Sequence, residues 1–227
     1  MVTGGTRGIG RAIVEHLLAE GAQVVLCSRH VDSVEAELHA TGRKRVWAHP
    51  CDVSSSEQVA ELFAFADAKM GGVDILVNNA GVGVFRPTAE LTVEDWDRTI
   101  GVNLNGAFYC SREALPRMKA AGGGYIVNLS SLAGRNPFAG GSAYNASKFG
   151  MNGFSEALML DHRYDNIRVT YIMPGSVDTD FSLQSGGSGA DWKIATADVA
   201  DMVIAVLQMP ERTLVSRVEM RPSKPHK

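Results

Sequence analysis

Short apolar runs alternate with longer stretches of helical pattern along the whole chain. The candidate strands lie at residues 23–27, 45–49, 74–78, 124–130, 167–173 and 214–218. The three middle runs contain ILV at 75–77, YIV at 125–127 and VTYI at 169–172, without alternation of polar and apolar positions. Strands that are covered on both faces have this pattern, so these runs predict a parallel sheet.

The helical stretches between these runs carry start and stop signals. Residues 54–57 (SSSE) and 92–95 (TVED) both resemble capping boxes, in which an acidic residue reaches back to the cap. Another helix begins at residues 196–198 (TAD) and is closed by Pro210. This alternation predicts a single α/β domain over residues 1–227, a doubly wound parallel sheet with helices on both faces. A ligand of such a sheet binds where the carboxyl ends of the strands meet.

Composition narrows the class of protein. The 227 residues carry 22 Lys and Arg against 25 Asp and Glu, a balance that gives no reason to expect nucleic-acid binding. No apolar run reaches the roughly 18 residues of a membrane span, and the N-terminus has no apolar signal region. Three scattered cysteines suit a reducing compartment, and the six histidines show no metal-ligand clustering. We therefore expect a cytoplasmic protein with no membrane partner and no metal.

A glycine-rich turn at residues 3–10 (TGGTRGIG) leads into a helical pattern that begins at Arg11. Glycines let the backbone turn sharply and approach a phosphate, and the following helix offers free N–H groups and the positive end of its dipole. Only Met1 and Val2 precede the turn, whereas a central strand normally has about five residues. The first strand is therefore either unusually short or begins before the given sequence.

Five further motifs follow this turn in order. They are Asp52-Val53, NNAG at 78–81, Asn103 within VNL, Ser131 thirteen residues before the YNASK run at 144–148, and PGSVDT at 174–179. Together with the turn, which reads T-G-x-x-x-G-x-G, they resemble the compact-subunit branch of the short-chain dehydrogenase/reductase family. The resemblance covers residues 3–179. The departures are the short first strand, the short segment after Thr179, and a C-terminus without the frequent G-x-x-x-x-x-D-G-G ending.

The resemblance implies a Rossmann fold and an oxidoreductase that transfers a hydride between a nicotinamide and a carbonyl or secondary alcohol. The catalytic residues that it implies are Asn103, Ser131, Tyr144 and Lys148, with Lys148 also contacting the nicotinamide ribose and Asn103 holding a water. It further implies a homodimer or homotetramer formed through the helices around Asn103 and Tyr144. The residues expected to bind the cofactor are Gly4, Thr6, Arg7, Gly8, Ile9, Gly10, Ser28, Arg29, Asp52, Val53, Asn79, Ala80, Gly81, Tyr144, Lys148, Pro174, Gly175, Val177 and Thr179.

The residue types suit this chemistry. A phenol with a reference pKa near 10 exchanges protons slowly at neutral pH. Tyr144 and Lys148 are four residues apart, on one face of a helix, where a cation favours the phenolate. We therefore expect Lys148 to lower the pKa of Tyr144. Ser131 would hydrogen-bond the substrate oxygen, and its neighbour Ser130, which points to the opposite face of the strand, would be structural.

The second strand indicates which nicotinamide cofactor is bound. An acidic residue about 20 positions past the turn normally accepts hydrogen bonds from the ribose 2′-hydroxyl. The chain has the uncharged Ser28 there, followed by Arg29, and Arg7 lies within the turn itself. A missing acid and two guanidinium groups suit a 2′-phosphate, which arginine can bind through paired hydrogen bonds. The sequence therefore predicts NADP(H).

Two other functions compete with this interpretation. A protein that senses NADP(H) without turnover could use the same fold, but it would not need a proton-donating tyrosine. A sugar-nucleotide epimerase would carry T-G-x-x-G-x-x-G and a further substrate domain, whereas 48 residues follow Thr179.

The substrate pocket is expected at residues 82–86, Leu132 and Phe138, with residues 180–195 as a lid. The aromatic residues there favour an apolar substrate. The basic ending at residues 217–227 is interpreted as a solvated tail.

Overall fold

Seven parallel strands form one sheet in the residues that the computed structural model describes, which are 1–179, 181 and 191–225. The spatial order is β3-β2-β1-β4-β5-β6-β7. The strands are β1 (Val2–Thr3), β2 (Val24–Ser28), β3 (Val46–Pro50), β4 (Ile75–Asn78), β5 (Gly124–Leu129), β6 (Ile167–Pro174) and β7 (Arg217–Met220). The chain runs outward from β1 to β3 and then returns to the other side of β1 at β4. The carboxyl ends of β1 and β4 therefore flank the point where the winding direction changes, which is where ligands bind in such sheets.

Helices cover both faces of the sheet, as the alternation predicted. They are α1 (Gly8–Ala19), α2 (Val34–Ala40), α3 (Ser56–Met70), α4 (Val93–Ile100), α5 (Gly106–Ala120), α6 (Ser142–His162) and α7 (Thr196–Leu207). A π-helical turn at Gly101–Asn105 joins α4 to α5 without a break in the helical path. None of the helices in the described ranges is long and apolar enough to cross a membrane.

Successive side chains of the apolar strands point alternately into two cores, rather than alternately into a core and into water. In β2, Val24 and Leu26 pack in the core that holds residues of α1 and α7. Val25 and Cys27 point the other way, into the core formed with α3 and α5. A strand buried on both faces has no polar position to alternate with. This explains why the central runs of the sequence are continuously apolar.

A buried polar network fixes the ends of the two central strands. Asn78, the last residue of β4, donates through Nδ2 to Asn128 Oδ1 (2.8 Å) and to Ser111 Oγ (3.2 Å). Asn128 of β5 donates in turn to Ser155 Oγ at 2.8 Å. The four residues belong to β4, β5, α5 and α6. Hydrogen bonds among buried groups are costly to break, so this network holds both strands and both helices in one relative position.

The structure corrects the C-terminal prediction. The last strand is Arg217–Met220 rather than 214–218, and it pairs with β6 from Tyr171↔Arg217 to Pro174↔Met220. Residues 217–220 are therefore part of the sheet and not part of a solvated tail. The shift arises because β7 is an edge strand with intermediate and exposed positions, so its hydrophobic pattern is weak.

The predicted helix caps are close to those of the structure. Thr92 caps α4, and its Oγ1 accepts from Asp95 N at 3.1 Å. The cap of α3 is Ser55 rather than Ser54, and its Oγ accepts from Gln58 N at 3.3 Å. Three consecutive serines offer equivalent caps, so the sequence cannot distinguish their positions.

Candidate active site

The glycine turn between β1 and α1 has no room for side chains at its closest point. Gly4 and Gly8 have φ values of 65° and 56°, a left-handed conformation that glycine adopts without strain. A Cβ on Gly10 would lie 2.2 Å from the carbonyl oxygen of Gly4. The turn can therefore fold tightly against the start of α1 only because these positions are glycine.

The loop after β4 holds this turn in place. Asn79 donates through Nδ2 to the carbonyl oxygens of Thr3 (2.9 Å) and Gly4 (3.1 Å). The Thr3 hydroxyl accepts from the backbone N–H groups of Asn79 and Ala80, each at 3.0 Å. The Asn79 side chain thus stabilises the turn through these hydrogen bonds, and its neighbour Ala80 lies against Gly4. Thr3 was not among the predicted site residues, although it is the threonine that begins the turn motif.

The start of α1 fits an anionic group. The first N–H groups of any helix lack partners within the helix, and its N-terminus carries a partial positive charge. No acidic residue lies in the first turn of α1, and Arg7 at the cap position makes no capping hydrogen bond through its side chain. Thr6 is half-buried, whereas Ile9 packs against the adjacent core. The cradle of glycines, the helix terminus and Arg7 together match the requirements of a pyrophosphate.

The ends of β2 and β3 bring the next group of predicted residues together. The Cys51 N–H donates to the Ser28 carbonyl oxygen at 2.9 Å, which places Asp52 beside the end of β2. Burial raises the pKa of Asp52, but hydrogen bonds from Ser54 and the charge of Arg29 outweigh it and lower the pKa overall. Arg29 is exposed and close to Asp52. Val53 is buried, and its Cγ2 lies 2.8 Å from the position that a Cβ on Gly106 would take.

The segment after β6 closes the opposite side of this site. Gly175 N donates to Met220 O at 2.9 Å, and Val177 forms a bridge with Ile194. The Thr179 methyl group lies 3.4 Å from the position of a Cβ on Gly8. Pro174 to Thr179 are thus brought from the far side of the sheet to the glycine turn, so that the turn and this segment share one cleft.

Tyr144, Lys148 and Ser131 meet where β5 ends against α6. Ser131 follows β5, its Oγ accepts from Ala133 N at 3.1 Å, and its hydroxyl lies near enough to the Tyr144 hydroxyl to affect the pKa of that phenol. Lys148 lies one turn of α6 beyond Tyr144, with Nζ 5.7 Å from the centroid of the tyrosine ring. The lysine is 4% exposed, and its ammonium group donates to the Leu129 carbonyl oxygen at 2.8 Å. A cation, a phenol and a hydroxyl are therefore juxtaposed at the carboxyl edge of the sheet.

The ionisation of this group differs from the expected one. Burial raises the pKa of Tyr144 above 10, and the nearby Ser131 hydroxyl opposes this effect only in part. Burial also lowers the pKa of Lys148 from 10.5 to about 8. The expected lowering of the tyrosine pKa by Lys148 is therefore wrong for the protein alone. The reason is that desolvation disfavours the charged form of both groups.

Asn103 lies in the π-helical turn and is fully buried. Its Oδ1 accepts from Val82 N (2.8 Å), and its Nδ2 donates to Val82 O (2.9 Å) and to Ser147 Oγ (3.0 Å). The side chain thus connects the loop after β4 with α6, one residue before Lys148. A Cβ on Gly81 would lie 3.6 Å from Asn103 Oδ1. Every polar atom of this amide is occupied by the protein, so the side chain positions two parts of the site.

The two serines at the end of β5 face different surroundings. The Ser130 hydroxyl donates to Asn152 Oδ1 at 2.5 Å and is buried against α6, whereas Ser131 faces Tyr144. Asn152 in turn donates to Gly134 O at 3.0 Å. A Cβ on Gly134 would lie 2.6 Å from the Lys148 carbonyl oxygen, so this glycine lets the loop after β5 touch the helix backbone. Asn152 was not predicted, although it lies four residues after Lys148 on the same helix face.

Aromatic side chains surround the Tyr144 ring. The ring centroid of Phe85 lies 5.6 Å from that of Tyr144, that of Phe181 also 5.6 Å, and that of Phe138 6.4 Å. The predicted lining of the pocket thus includes three rings in contact with the tyrosine. In the predicted lid at 180–195, Phe181 and residues 191–195 are described, and residues 180 and 182–190 lie outside the described residues.

Comparison with known proteins agrees with this geometry. A family model described as short chain dehydrogenase matches residues 1–186. A 3beta-hydroxysteroid dehydrogenase of Mediterraneibacter gnavus is 39% identical over 204 residues, which cover 88% of this chain and 72% of that protein.

Two solved structures share the fold over nearly the whole chain. A metagenomic short-chain oxidoreductase in complex with NADP has a TM-score of 0.85 and 38% identity, covering 99% of this chain and 96% of that one. An alcohol dehydrogenase of Thermococcus sibiricus, complexed with 5-hydroxy-NADP, has a TM-score of 0.90 and 27% identity, covering 100% and 97%. The motifs, the parallel sheet with its glycine turn, and these matches lead to one conclusion: this chain belongs to the short-chain dehydrogenase family.

Proposed function

We propose that the protein is an NADP(H)-dependent oxidoreductase that interconverts a ketone or aldehyde and the corresponding alcohol. The observation that carries the proposal is the placement of Tyr144, with its hydroxyl beside Ser131 and its ring centroid 5.7 Å from the buried ammonium group of Lys148. A protein that only binds the coenzyme needs no such group. The membership of a dehydrogenase family supports the same reaction class.

Tyr144 and Ser131 act on the substrate oxygen. In the reductive direction, NADPH held at the glycine turn would supply the hydride that the carbonyl carbon accepts. Ser131 donates a hydrogen bond to the carbonyl oxygen, and Tyr144 transfers its phenolic proton to that oxygen as the C–H bond forms. The product is the alcohol, and the phenolate then takes a proton from solvent. The reverse sequence oxidises the alcohol.

The ionisation of Tyr144 suits the reductive role. Because burial raises the pKa of this phenol, it is protonated at neutral pH and can act as a general acid. The charge that develops on its oxygen during transfer is stabilised by the Lys148 ammonium group, which is itself charged below about pH 8. Alcohol oxidation needs the phenolate and is therefore favoured at higher pH.

The coenzyme is proposed to be NADP(H). The glycine cradle and the start of α1 suit the pyrophosphate, and the end of β2 carries Ser28 and the exposed Arg29 instead of an acid. Asp52 lies near Arg29, so part of the guanidinium charge is balanced before any phosphate binds. Structural relatives that are solved with NADP or 5-hydroxy-NADP bound support the assignment.

Replacing the proposed acid tests the reaction directly. Tyr144→Phe removes the transferable proton and should lower kcat about 10²- to 10⁴-fold, while NADPH affinity changes little. The control is Tyr164→Phe, since Tyr164 is 93% exposed and outside the site. Steady-state turnover of a ketone panel and fluorescence titration with NADPH provide both readouts. If the Tyr144 variant keeps a tenth of wild-type turnover with chemistry rate-limiting, another group is the acid.

The coenzyme preference should follow the end of β2. Ser28→Asp combined with Arg29→Ala removes a charge-assisted bond worth roughly 1.5–3 kcal/mol, which corresponds to about 10- to 150-fold in NADPH affinity. The new carboxylate repels the 2′-phosphate and accepts from a 2′-hydroxyl, so the variant should prefer NADH. Arg7 limits the extent of the switch. The measurement is kcat/KM for both coenzymes at one ionic strength, and an unchanged ratio would contradict the assignment.

The lysine predicts the pH dependence of reduction. Because the pKa of Lys148 is lowered to about 8, the ammonium group loses its proton as pH rises through that value. Tyr144, whose pKa is raised, still holds its proton there. The kcat/KM for the ketone at saturating NADPH should therefore be level below pH 8 and fall above it. Lys148→Met should lower the rate and remove this transition; a variant that keeps the transition would assign it to another group.

We also propose that the enzyme is a homodimer or homotetramer in the cytoplasm. Phe108 of α5 and Phe149 of α6 are each 46% exposed, and they lie five residues after Asn103 and Tyr144, respectively. Phe108 packs against Phe154 of α6, with ring centroids 6.3 Å apart, so the two helices present one apolar surface. Exposed apolar surface of this kind marks an interface. The three cysteines are free thiols, which suits a reducing compartment.

A charge on this surface should break the assembly. Phe108→Glu should shift the mass measured by light scattering after size exclusion from an oligomer to a monomer, because the interface would bury an unpaired carboxylate. Met209→Glu is the matched control, since Met209 is also an exposed apolar residue (38%) but follows α7. A wild-type protein that runs as a monomer, or a variant that remains oligomeric, would refute this surface as the interface.

A further inference from the structure

Three phenylalanines from separate parts of the chain form an apolar surface beside the reactive tyrosine. Phe85 lies in the loop after β4, Phe138 in the loop between β5 and α6, and Phe181 beyond β6. Phe85 contacts both of the others, with ring centroids 5.6 Å from Phe138 and 6.0 Å from Phe181. These three residues are called the aromatic wall below. Each of its rings also contacts the Tyr144 ring.

The backbone around the aromatic wall is shaped to accommodate the rings. A Cβ on Gly83 would lie 2.7 Å from the Cζ atoms of both Phe85 and Phe181. A Cβ on Gly141 would lie 2.6 Å from Cε2 of Phe138. Real side chains essentially never approach so closely, so the rings occupy space that exists only because these two residues are glycine.

A hydrogen bond also fixes two of the rings relative to each other. The Arg86 N–H donates to the Gly140 carbonyl oxygen at 2.8 Å, which connects the loop of Phe85 to the loop of Phe138. Gly140 has a φ of 77°, the left-handed conformation that glycine tolerates. Phe138 remains 44% exposed at the outer end of the aromatic wall. The wall therefore extends from the half-buried Tyr144 to the surface.

Of the five ring pairs among Tyr144 and the aromatic wall, the two that Phe85 forms with Tyr144 and Phe181 lie edge to face, and the other three are tilted by 43–53°. The angle between the ring planes is 75° for Phe85 and Tyr144 and 87° for Phe85 and Phe181. In this arrangement the positive edge of one ring meets the negative face of another, an attraction that a saturated hydrocarbon cannot reproduce. A substrate oxygen must reach the Tyr144 hydroxyl, so the group attached to the carbonyl carbon must displace or join some of these contacts.

We infer that the aromatic wall makes this enzyme selective for aryl ketones and the matching benzylic alcohols, an inference that rests on the carbonyl reduction proposed above. A flat ring next to the carbonyl restores the edge-to-face contacts that its entry disrupts. A puckered aliphatic ring of similar size fills the same space but restores none of them. The substrate class is therefore set by ring planarity beside the reacting carbon, in addition to apolar fit.

A matched pair of ketones tests this inference. Acetophenone and cyclohexyl methyl ketone have the same carbon skeleton and differ in the planarity of the ring. The kcat/KM ratio with NADPH is measured in the wild type and in Phe85→Leu. Differences in intrinsic reactivity cancel when the two ratios are compared. The preference for acetophenone should fall about 2- to 12-fold in the variant, the range expected for aromatic pair contacts.

Two further variants separate selectivity from general damage. Phe65→Leu makes the same substitution in α3, where the ring contacts His49 instead of the site, and should leave the ratio unchanged. Gly83→Ala should change the ratio while thermal stability stays close to that of the wild type, because the new methyl group meets only the ends of two side chains. If Phe85→Leu fails to fold, Gly83→Ala still gives the decisive ratio.

Binding without turnover distinguishes this inference from the proposed function. Calorimetric titration of each ketone into protein saturated with NADP⁺ measures affinity while no hydride is available. A preference for acetophenone that depends on Phe85 supports the aromatic wall even if the ketones are not reduced, a result that would refute only the proposed reaction. The opposite result is reduction that depends on Tyr144, with the same ketone ratio in the wild type, Phe85→Leu and Gly83→Ala. This result would refute the role of the aromatic wall in selectivity and would support the proposed reaction. The inference would also be refuted if Phe65→Leu changed the ketone ratio as much as Phe85→Leu does, or if neither ketone bound.

Discussion

The candidate active site is organised around an ammonium group in the protein interior. Lys148 is 4% exposed, and burying a charge costs several kcal/mol unless it is paired or hydrogen-bonded. The hydrogen bond from its Nζ to the Leu129 carbonyl oxygen, at 2.8 Å, is therefore a constraint as well as a contact. It holds α6 against the carboxyl end of β5. Tyr144, one helical turn before Lys148, and Ser131, two residues after Leu129, are brought together by the same contact.

Other parts of the chain support this arrangement from opposite sides. Gly134 allows the loop after β5 to touch the backbone of α6 at Lys148 itself. Asn103 connects the same helix, through Ser147, to the backbone of Val82. The loop after β4 is therefore tied both to α6 and to the glycine turn. Rigid supports of this kind preserve the small distances that proton and hydride transfer require.

Sequence patterns predicted those parts of the fold that are determined by residues close together in the sequence. The buried strands were found because they are continuously apolar, and the position of the glycine turn followed from its spacing. The edge strand β7 was misplaced because Arg217 and Glu219 are exposed, so nothing in its pattern separates it from a tail. The predicted cap of α3 was one residue too early, because three consecutive serines can each serve as the cap. Neither error moves the residues around Tyr144, although Met220 of β7 accepts a hydrogen bond from Gly175 N on the opposite side of the site.

The sequence was less informative about the electrostatics of the site. Spacing alone places Tyr144 and Lys148 on one helix face, and the expected consequence is a lowered tyrosine pKa. The structure has the opposite shift because burial depends on distant segments, among them the loops of Phe85 and Phe138. Desolvation is a property of the assembled fold and has no local signature in the chain.

The same burial connects the chemistry of the site to its proposed selectivity. Rings that surround Tyr144 exclude water, which raises the pKa of the phenol and keeps the proton on it at neutral pH. Those rings are also the surface that a substrate meets beside its carbonyl carbon. A substitution that opens the aromatic wall would therefore change both the shape of the pocket and the acidity of Tyr144. A ratio between two ketones separates these effects, because a change in acidity affects both substrates, whereas a change in the aromatic contacts affects only one.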